Sequence, residues 1–238
     1  MSLLLLSSSR VADSAYLATA QQDIYHHLAG CNNIVFIPYA GVTMTHDVYL
    51  DKVQTALPDI ELAGIHQGYH PRQVIDETDA IVVGGGNTFH LLSKLYEHNL
   101  IDQIKQKVES GTKYVGWSAG ANVAGLSIKT TNDMPIIEPP SFDALKLLPF
   151  QINPHYTDYQ APGHNGETRE ERLQEFMSVN RDTAILALPE GTGVTNSGSQ
   201  NEQASPALSL VGIHSCFVFK DKQKLHITDN EALNSTLF

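Results

Sequence analysis

The chain is short of cysteine, of basic clusters and of long apolar runs, and each shortage removes a class of function. Only Cys31 and Cys216 occur in 238 residues. Both sit in or beside apolar segments, where a reduced thiol packs as a small hydrophobe, so no disulfide framework is expected. Lys and Arg number 15 against 26 Asp and Glu, a formal net charge of −11, and no basic cluster is present. A phosphate-tracking surface is therefore not expected, and nucleic acid is not an expected partner. The run of leucines in MSLLLLSSSR lacks a basic flank and is too short for a signal peptide or a membrane span. These absences lead to the expectation of a soluble cytoplasmic protein with no membrane partner. Acidity has a second consequence: the long-range field repels anions, so an acidic substrate needs a local cation to hold it.

What the chain does have is enough apolar residue, 42%, to fill a core, and one compact domain over 1–238 is expected. No internal repeat or low-complexity linker interrupts it. Short apolar runs (Leu3 to Leu6, Ile34 to Ile37, Ile60 to Ile65, Ala80 to Val83, Tyr114 to Trp117, Ala184 to Leu188) alternate with segments of helical period. Several of the runs lack period-two alternation, as strands buried on both faces do. The helical segments are Ser14 to Leu28, His46 to Ala56, Thr88 to His98 and Ile101 to Ser110. This order predicts an α/β fold, a mostly parallel sheet with helices on both faces. From Ala207 onward the pattern changes to short strands and polar turns, predicting a C-terminal antiparallel extension of the sheet.

Within this frame GWSAG, Gly116 to Gly120, is a G-x-S-x-G pattern that follows a predicted strand and precedes a small-residue run able to start a helix. That is the setting of a nucleophile elbow, with Ser118 projecting above the sheet edge and the Ala119 N–H aimed at an oxyanion. The bare pattern occurs by chance; the strand and helix around it make it informative. VVGGGNT, Val82 to Thr88, lies at the carboxyl end of another strand, where open sheets place ligand crevices. One of Gly84, Gly85 and Gly86 is a second oxyanion donor on this reading; the plainer alternative is a tight turn with Asn87 or Thr88 as N-cap. His26, His27, His90 and His98 fall on helices in ordinary positions, whereas His155, beside Pro154 at the end of an apolar run, suits a general base. Asp133, Asp158 and Glu190 are the carboxylates available to orient it. Glu190, which follows a buried-looking strand, is preferred on geometry, and Asp133 stays open because chain order does not decide a triad.

Taken together, GWSAGAN, VVGGGNT, TTNDMPI, INPHYTD, GHNGETREER and LPEG, with LLLLSSS, FIPYAGVT and FVFK, resemble the peptidase E family of α-aspartyl dipeptidases over nearly the whole chain. The resemblance implies a cytoplasmic serine exopeptidase that cleaves dipeptides with N-terminal aspartate, on a fold related to class I glutamine amidotransferases. It implies no metal and no organic cofactor. Carried over, the nucleophile falls on Ser118 and the histidine on His155. The acid falls on Asp133 or Glu190, with Glu190 expected to bond His155 and Asp133 to be a nearby polar element. Arg169 gains a meaning here. Thr168 and Glu171 have capping-box spacing, which puts Arg169 in a first helical turn, where cations are disfavoured unless they help hold an anion such as a substrate carboxylate.

The expected partners are thus small acidic peptides, for a monomer or homodimer, with the segment from Ile136 to Gly166 available to close around a free α-amine. Three other readings compete. A hydrolase for β-aspartyl or cyanophycin-type peptides would keep the serine and change the pocket. An esterase of α/β-hydrolase type would take a late histidine, His214 or His226, as its base. A non-catalytic peptide-binding protein would keep the fold without turnover.

Overall fold

The computed structural model of the protein describes residues 1–163, 165–197, 207–212 and 215–238. Its elements are β1 (Ser2–Leu6), α1 (Gln21–Leu28), β2 (Ile34–Ile37), α2 (His46–Ala56), β3 (Ala63–Gly64), α3 (Pro71–Glu77), β4 (Ala80–Val83), α4 (Thr88–Glu97), α5 (Ile101–Glu109), β5 (Lys113–Trp117) and α6 (Ala119–Asn122). They continue with β6 (Gln151–Tyr156), α7 (Arg169–Val179), β7 (Ile185–Pro189), β8 (Thr192–Ser197), β9 (Ser209–Gly212), β10 (Cys216–Lys220), β11 (Gln223–Ile227) and α8 (Asn230–Leu237). Among the described residues no helix is long and apolar enough to cross a membrane.

Continuous apolar strands arise because both faces of the main sheet are covered. Leu3, Leu5, Val35, Ile37, Ile81, Val83 and Tyr114 point to one side, where Leu91, Leu95, Ile104 and Val108 of α4 and α5 pack on them. Leu4, Leu6, Ile34, Phe36, Val82, Val115 and Trp117 point to the other, against Ile24 and Leu28 of α1 and Leu50 and Val53 of α2. Alternate positions along each strand thus serve different cores, and each fully buried aliphatic side chain contributes about 1.5–3 kcal/mol. Strand order is β3-β2-β4-β5-β1-β8-β9. The first five strands are parallel; β8 adds antiparallel to β1, and β9 antiparallel to β8.

The antiparallel C-terminal part is present, but it is divided. Only β9 extends the main sheet; β10 and β11 join β7 and β6 in a separate four-stranded sheet, order β11-β10-β7-β6. In it β6 and β7 are parallel, so the apolar run at Ala184 to Leu188 serves this second sheet. Other boundaries also move. The helix expected from Ser14 begins only at Gln21, because Ala12 and Leu17 adopt positive φ of 46° and 57°, and the Leu17 N–H turns back to the Ser9 carbonyl. The strand expected over Ile60 to Ile65 shrinks to Ala63–Gly64, followed by a 3-10 turn. Short α3, started by Pro71 at its first turn, and α8 carry too little period to be read from sequence.

One buried group makes stability depend on pH. His27 is packed at the end of α1 with its Nε2 unpartnered among the described residues. Burial, helped by the charge of Lys113, pushes its imidazole down to about 4. Between the ordinary value near 6.5 and that level the unfolded chain takes up a proton that the folded chain refuses. Stability is therefore full above this window and falls as pH falls through it. Replacing His27→Gln removes this dependence, so denaturant titrations of the two proteins should converge by roughly 2 kcal/mol between pH 7 and 4.5. Parallel pH profiles would contradict this.

Candidate active site

The first catalytic candidate is set by the end of β5. Ser118 follows Trp117 directly with φ 53° and ψ −113°, a backbone state that costs a non-glycine residue about 1–3 kcal/mol. It is held there by its N–H on the Leu6 carbonyl at 3.0 Å and by its own carbonyl, which accepts from Ala121 and Asn122 at 3.0 and 2.9 Å. The flanking glycines of GWSAG leave room for this turn. A Cβ on Gly116 would lie 2.4 Å from the Gly120 carbonyl oxygen, and one on Gly120 would lie 2.2 Å from that of Val83.

His155 reaches the serine through an irregularity in β6. Asn153 pairs with Ala187 and Tyr156 with Pro189, a register shift of the bulge type. His155 lies inside it at φ 55°. A bulge re-aims a side chain, as they often do beside functional sites. Here the imidazole Nε2 stands 2.8 Å from Ser118 Oγ and Nδ1 stands 2.9 Å from Glu190 Oε1. An ionised carboxylate only accepts, so Nδ1 carries the hydrogen toward Glu190 and Nε2 is left to accept from the hydroxyl. Glu190 sits just beyond β7, and its side chain is half exposed. Of the carboxylates weighed from the sequence, it is the one brought to His155.

Asp133 is close by in another role. Its Oδ2 accepts from the Thr88 N–H at 2.7 Å and from the Thr131 hydroxyl at 3.2 Å, and with Thr88, Ala119 and Asn132 it lines a small cleft bordered by Ser118 and His155. Asn87 caps α4 through His90 N–H and also reaches the Met134 carbonyl, while Asn132 donates to the Pro154 carbonyl. These bonds join the three motifs VVGGGNT, TTNDMPI and INPHYTD into one wall. Asp158 turns away to Tyr156 and Lys224. His226 stacks on Phe217, and His214 lies outside the described residues.

Arg169 opens α7 as expected, after a capping box in which Thr168 and Glu171 satisfy each other's backbone N–H. Its guanidinium is half-buried. Burial and Arg172 push its pKa down, while the charge of Asp133 opposes them. Its Nη1 is buried with no hydrogen-bond partner among the described residues.

The glycine loop narrows the donors available for an oxyanion. Gly84 N–H is already given to the Ile37 carbonyl, which removes it from the expected set. Gly85 lies against the serine, since a Cβ there would meet Ser118 Cβ at 2.9 Å. Gly85 and Gly86 N–H groups, with that of Ala119, donate to no described residue. The Gly85 peptide is fixed from behind by residues the sequence reading missed. Trp117 Nε1–H donates to Tyr16 Oη at 3.2 Å, Tyr16 Oη–H to Tyr49 Oη at 3.2 Å, and Tyr49 Oη–H to the Gly85 carbonyl at 2.8 Å. Burial pushes the Tyr49 phenol far up, so it keeps the proton it donates. Phe36 stacks on Trp117 and meets Tyr49 edge-on. Ser7 was also missed: fully buried, it accepts from His155 N–H at 2.8 Å and donates to the Leu188 carbonyl at 2.7 Å. The only sequence signal for it was its place directly after a buried strand.

A hydroxyl bonded to an imidazole, the imidazole bonded to a carboxylate, and free N–H groups beside the hydroxyl make up the constellation of serine hydrolases, here at the carboxyl ends of a parallel sheet. Sequence comparison identifies the family. The profile of Peptidase family S51 matches residues 3–204, and the chain belongs to that family of peptidases. It is 53% identical over 219 residues to a protein named Peptidase E from Shewanella amazonensis, covering 91% of this chain and 90% of that one. It is 51% identical over 223 residues to another so named from Shewanella denitrificans, covering 93% and 92%. Among solved structures, a peptidase from an acI-B1 Actinobacterium superposes with a TM-score of 0.63 at 15% identity, covering 96% of this chain and 94% of that one. A Listeria monocytogenes EGD-e protein superposes with a TM-score of 0.54 at 21% identity, covering 95% and 98%. The two superpositions bear on fold alone.

The aromatic support of Gly85 is testable apart from the triad. Tyr49→Phe keeps the ring packing and removes the hydroxyl, so turnover of a peptide substrate should fall roughly tenfold with little change in KM, a fraction of the hundredfold or more that follows outright loss of an oxyanion donor. An unaltered kcat in a protein that melts normally would mean that the Gly85 peptide needs no such support.

Proposed function

We propose that the protein is a serine dipeptidase that hydrolyses Asp-Xaa dipeptides through an aspartyl-enzyme. The observation that carries this reading is the Nη1 of Arg169, buried and without a hydrogen-bond partner among the described residues, on a guanidinium that feels the Asp133 charge. In a chain of net charge −11, a guanidinium nitrogen left without a carboxylate is matched to one brought by the substrate. The likeness to proteins named Peptidase E supports the same reading.

On this reading the N-terminal aspartate binds across the wall made by Thr88, Asn132, Asp133 and Pro154 beside Ser118, its side-chain carboxylate toward Arg169 and its α-ammonium toward Asp133. Ser118 Oγ attacks the peptide carbonyl while His155 Nε2 takes its proton. Glu190 stabilises the imidazolium that results. The oxyanion receives N–H bonds from Ala119 and from Gly85 or Gly86. Collapse of the tetrahedral species passes the proton to the leaving amine and leaves an ester on Ser118. Water, activated by the same imidazole, then releases aspartate. A strained backbone at Ser118 supports the assignment of the nucleophile, because such states persist at sites where geometry matters more than local comfort.

Hydrolysis of Asp-Leu, Ala-Leu and β-Asp-Leu by the purified protein tests this directly. Turnover of Asp-Leu, lost by at least a thousandfold in Ser118→Ala, is expected. Preferential turnover of β-Asp-Leu would move the protein to the isopeptide reading, and no Ser118-dependent turnover would end the proposal. Arg169→Met should lower Asp-Leu relative to Ala-Leu by roughly ten- to a hundredfold, as expected for a lost charged hydrogen bond. An unchanged ratio of the two rates would exclude Arg169 as the specificity cation.

A further inference from the structure

Ser118 and His155 border two clefts of unequal size. The larger, about 470 Å³, lies on the other side of the hydroxyl and differs in chemistry. Tyr16, Trp117, Met44, Val42 and Ile136 make its walls apolar, and a single cation, Lys52, stands among its lining residues. The Lys52 ammonium sits 4.2 Å from the centroid of the Tyr16 ring and pairs with no carboxylate among the described residues. Lys52 follows Tyr49 by three positions on α2, so the two share a helix side. Tyr49 reaches inward to Gly85 and Lys52 stays exposed at the cavity's edge. A positive charge at the edge of an apolar hollow, beside a nucleophile and within an acidic chain, fits a ligand that is apolar at one end and anionic at the other.

We propose that this cavity is the leaving-group subsite, taking an apolar side chain from the residue after the scissile bond, with Lys52 receiving that residue's free α-carboxylate. The inference rests on the reading of Ser118 as nucleophile toward aspartyl peptides and extends it to the second residue. A longer peptide carries an uncharged amide at that position and forfeits the Lys52 contact, so the restriction to dipeptides is set from both ends of the substrate. An apolar second side chain gains from burial against Tyr16, Met44 and Ile136, and a small or charged one does not.

Two measurements on the whole protein test it. In the kinetic one, Asp-Leu is compared with Asp-Leu amide in wild type, Lys52→Met and Lys52→Arg. Wild type should favour the free acid roughly fivefold in kcat/KM, mainly through KM, as suits a partly exposed ion pair. Lys52→Met should erase the preference, and Lys52→Arg should keep it. The same acid-to-amide ratio in wild type and Lys52→Met overturns the proposal, as does a series from Asp-Gly through Asp-Ala to Asp-Leu that fails to rise with side-chain size. The second measurement needs no turnover: N-acetyl-L-leucine and its amide are titrated by NMR. The acid should bind more tightly to wild type and equally with its amide to Lys52→Met. Equal affinities in wild type reject the subsite even if aspartyl peptides are cleaved, whereas absence of aspartyl peptidase activity with the acid preference intact rejects the substrate reading and keeps the anion subsite.

Discussion

The site depends on a joint between two sheets, and one buried hydroxyl makes it. Ser7 ends the strand that lies beside β5 in the main sheet, while His155 and Glu190 belong to the smaller one. By accepting from the His155 N–H and donating to the Leu188 carbonyl, Ser7 binds both parallel strands of the small sheet to the edge from which Ser118 projects. Gly191 N–H on Ser8 Oγ and Ser7 N–H on the Thr192 carbonyl add to the same seam. A buried hydroxyl satisfied in both directions carries no desolvation penalty and allows few alternative arrangements. The 2.8 Å contact between imidazole and serine is an outcome of that seam together with the bulge in β6.

Much of this was legible from the sequence where the signal was local. The central strands read clearly because each is buried on both faces, which leaves no polar positions to interrupt the run. Ser118 was readable because G-x-S-x-G is a statement about space at one turn; the capping box gave the start of α7, while Arg169 was singled out only through the family resemblance. His155 and Glu190 were legible as strand ends, though their pairing was a preference among carboxylates until distances fixed it. What stayed hidden depends on contacts far apart along the chain. Ser7 bonds across 181 positions, and Tyr16 reaches Trp117 across 101. No window of sequence contains both members of either pair. Gly84 was wrongly included among the donors because only the register of β2 against β4 reveals that its N–H is spent. The division of the C-terminal strands between two sheets was hidden for the same reason, since strands state their faces but not their neighbours.

Charge ties the two clefts to the composition. An acidic chain that keeps Arg169 and Lys52 free of carboxylate partners, among the described residues, holds local attraction against its own long-range field. The two cations differ in kind. Arg169 is half-buried at a helix start, suited to a fixed, directional bond; Lys52 is exposed over an aromatic ring, suited to a looser and salt-sensitive one. Asp133, held by the Thr88 N–H and the Thr131 hydroxyl, is the negative counterpart whose charge the Arg169 guanidinium feels.

The seam between the sheets also bears on how the protein fails when heated. The small sheet buries one face, through Ile152, Leu186, Leu188 and Val218, in the same core as Leu3, Leu5 and Val83 of the main sheet, while Tyr156, Leu173, Met177 and Phe219 on its other side form a cluster of their own. Regions with separate cores open with separate free energies. The hydrogen bonds at Ser7 and Ser8 lie over an apolar core that both sheets share. The alignment of imidazole and serine is protected by that core, so a loosening of the outer cluster around Met177 leaves the catalytic registry intact.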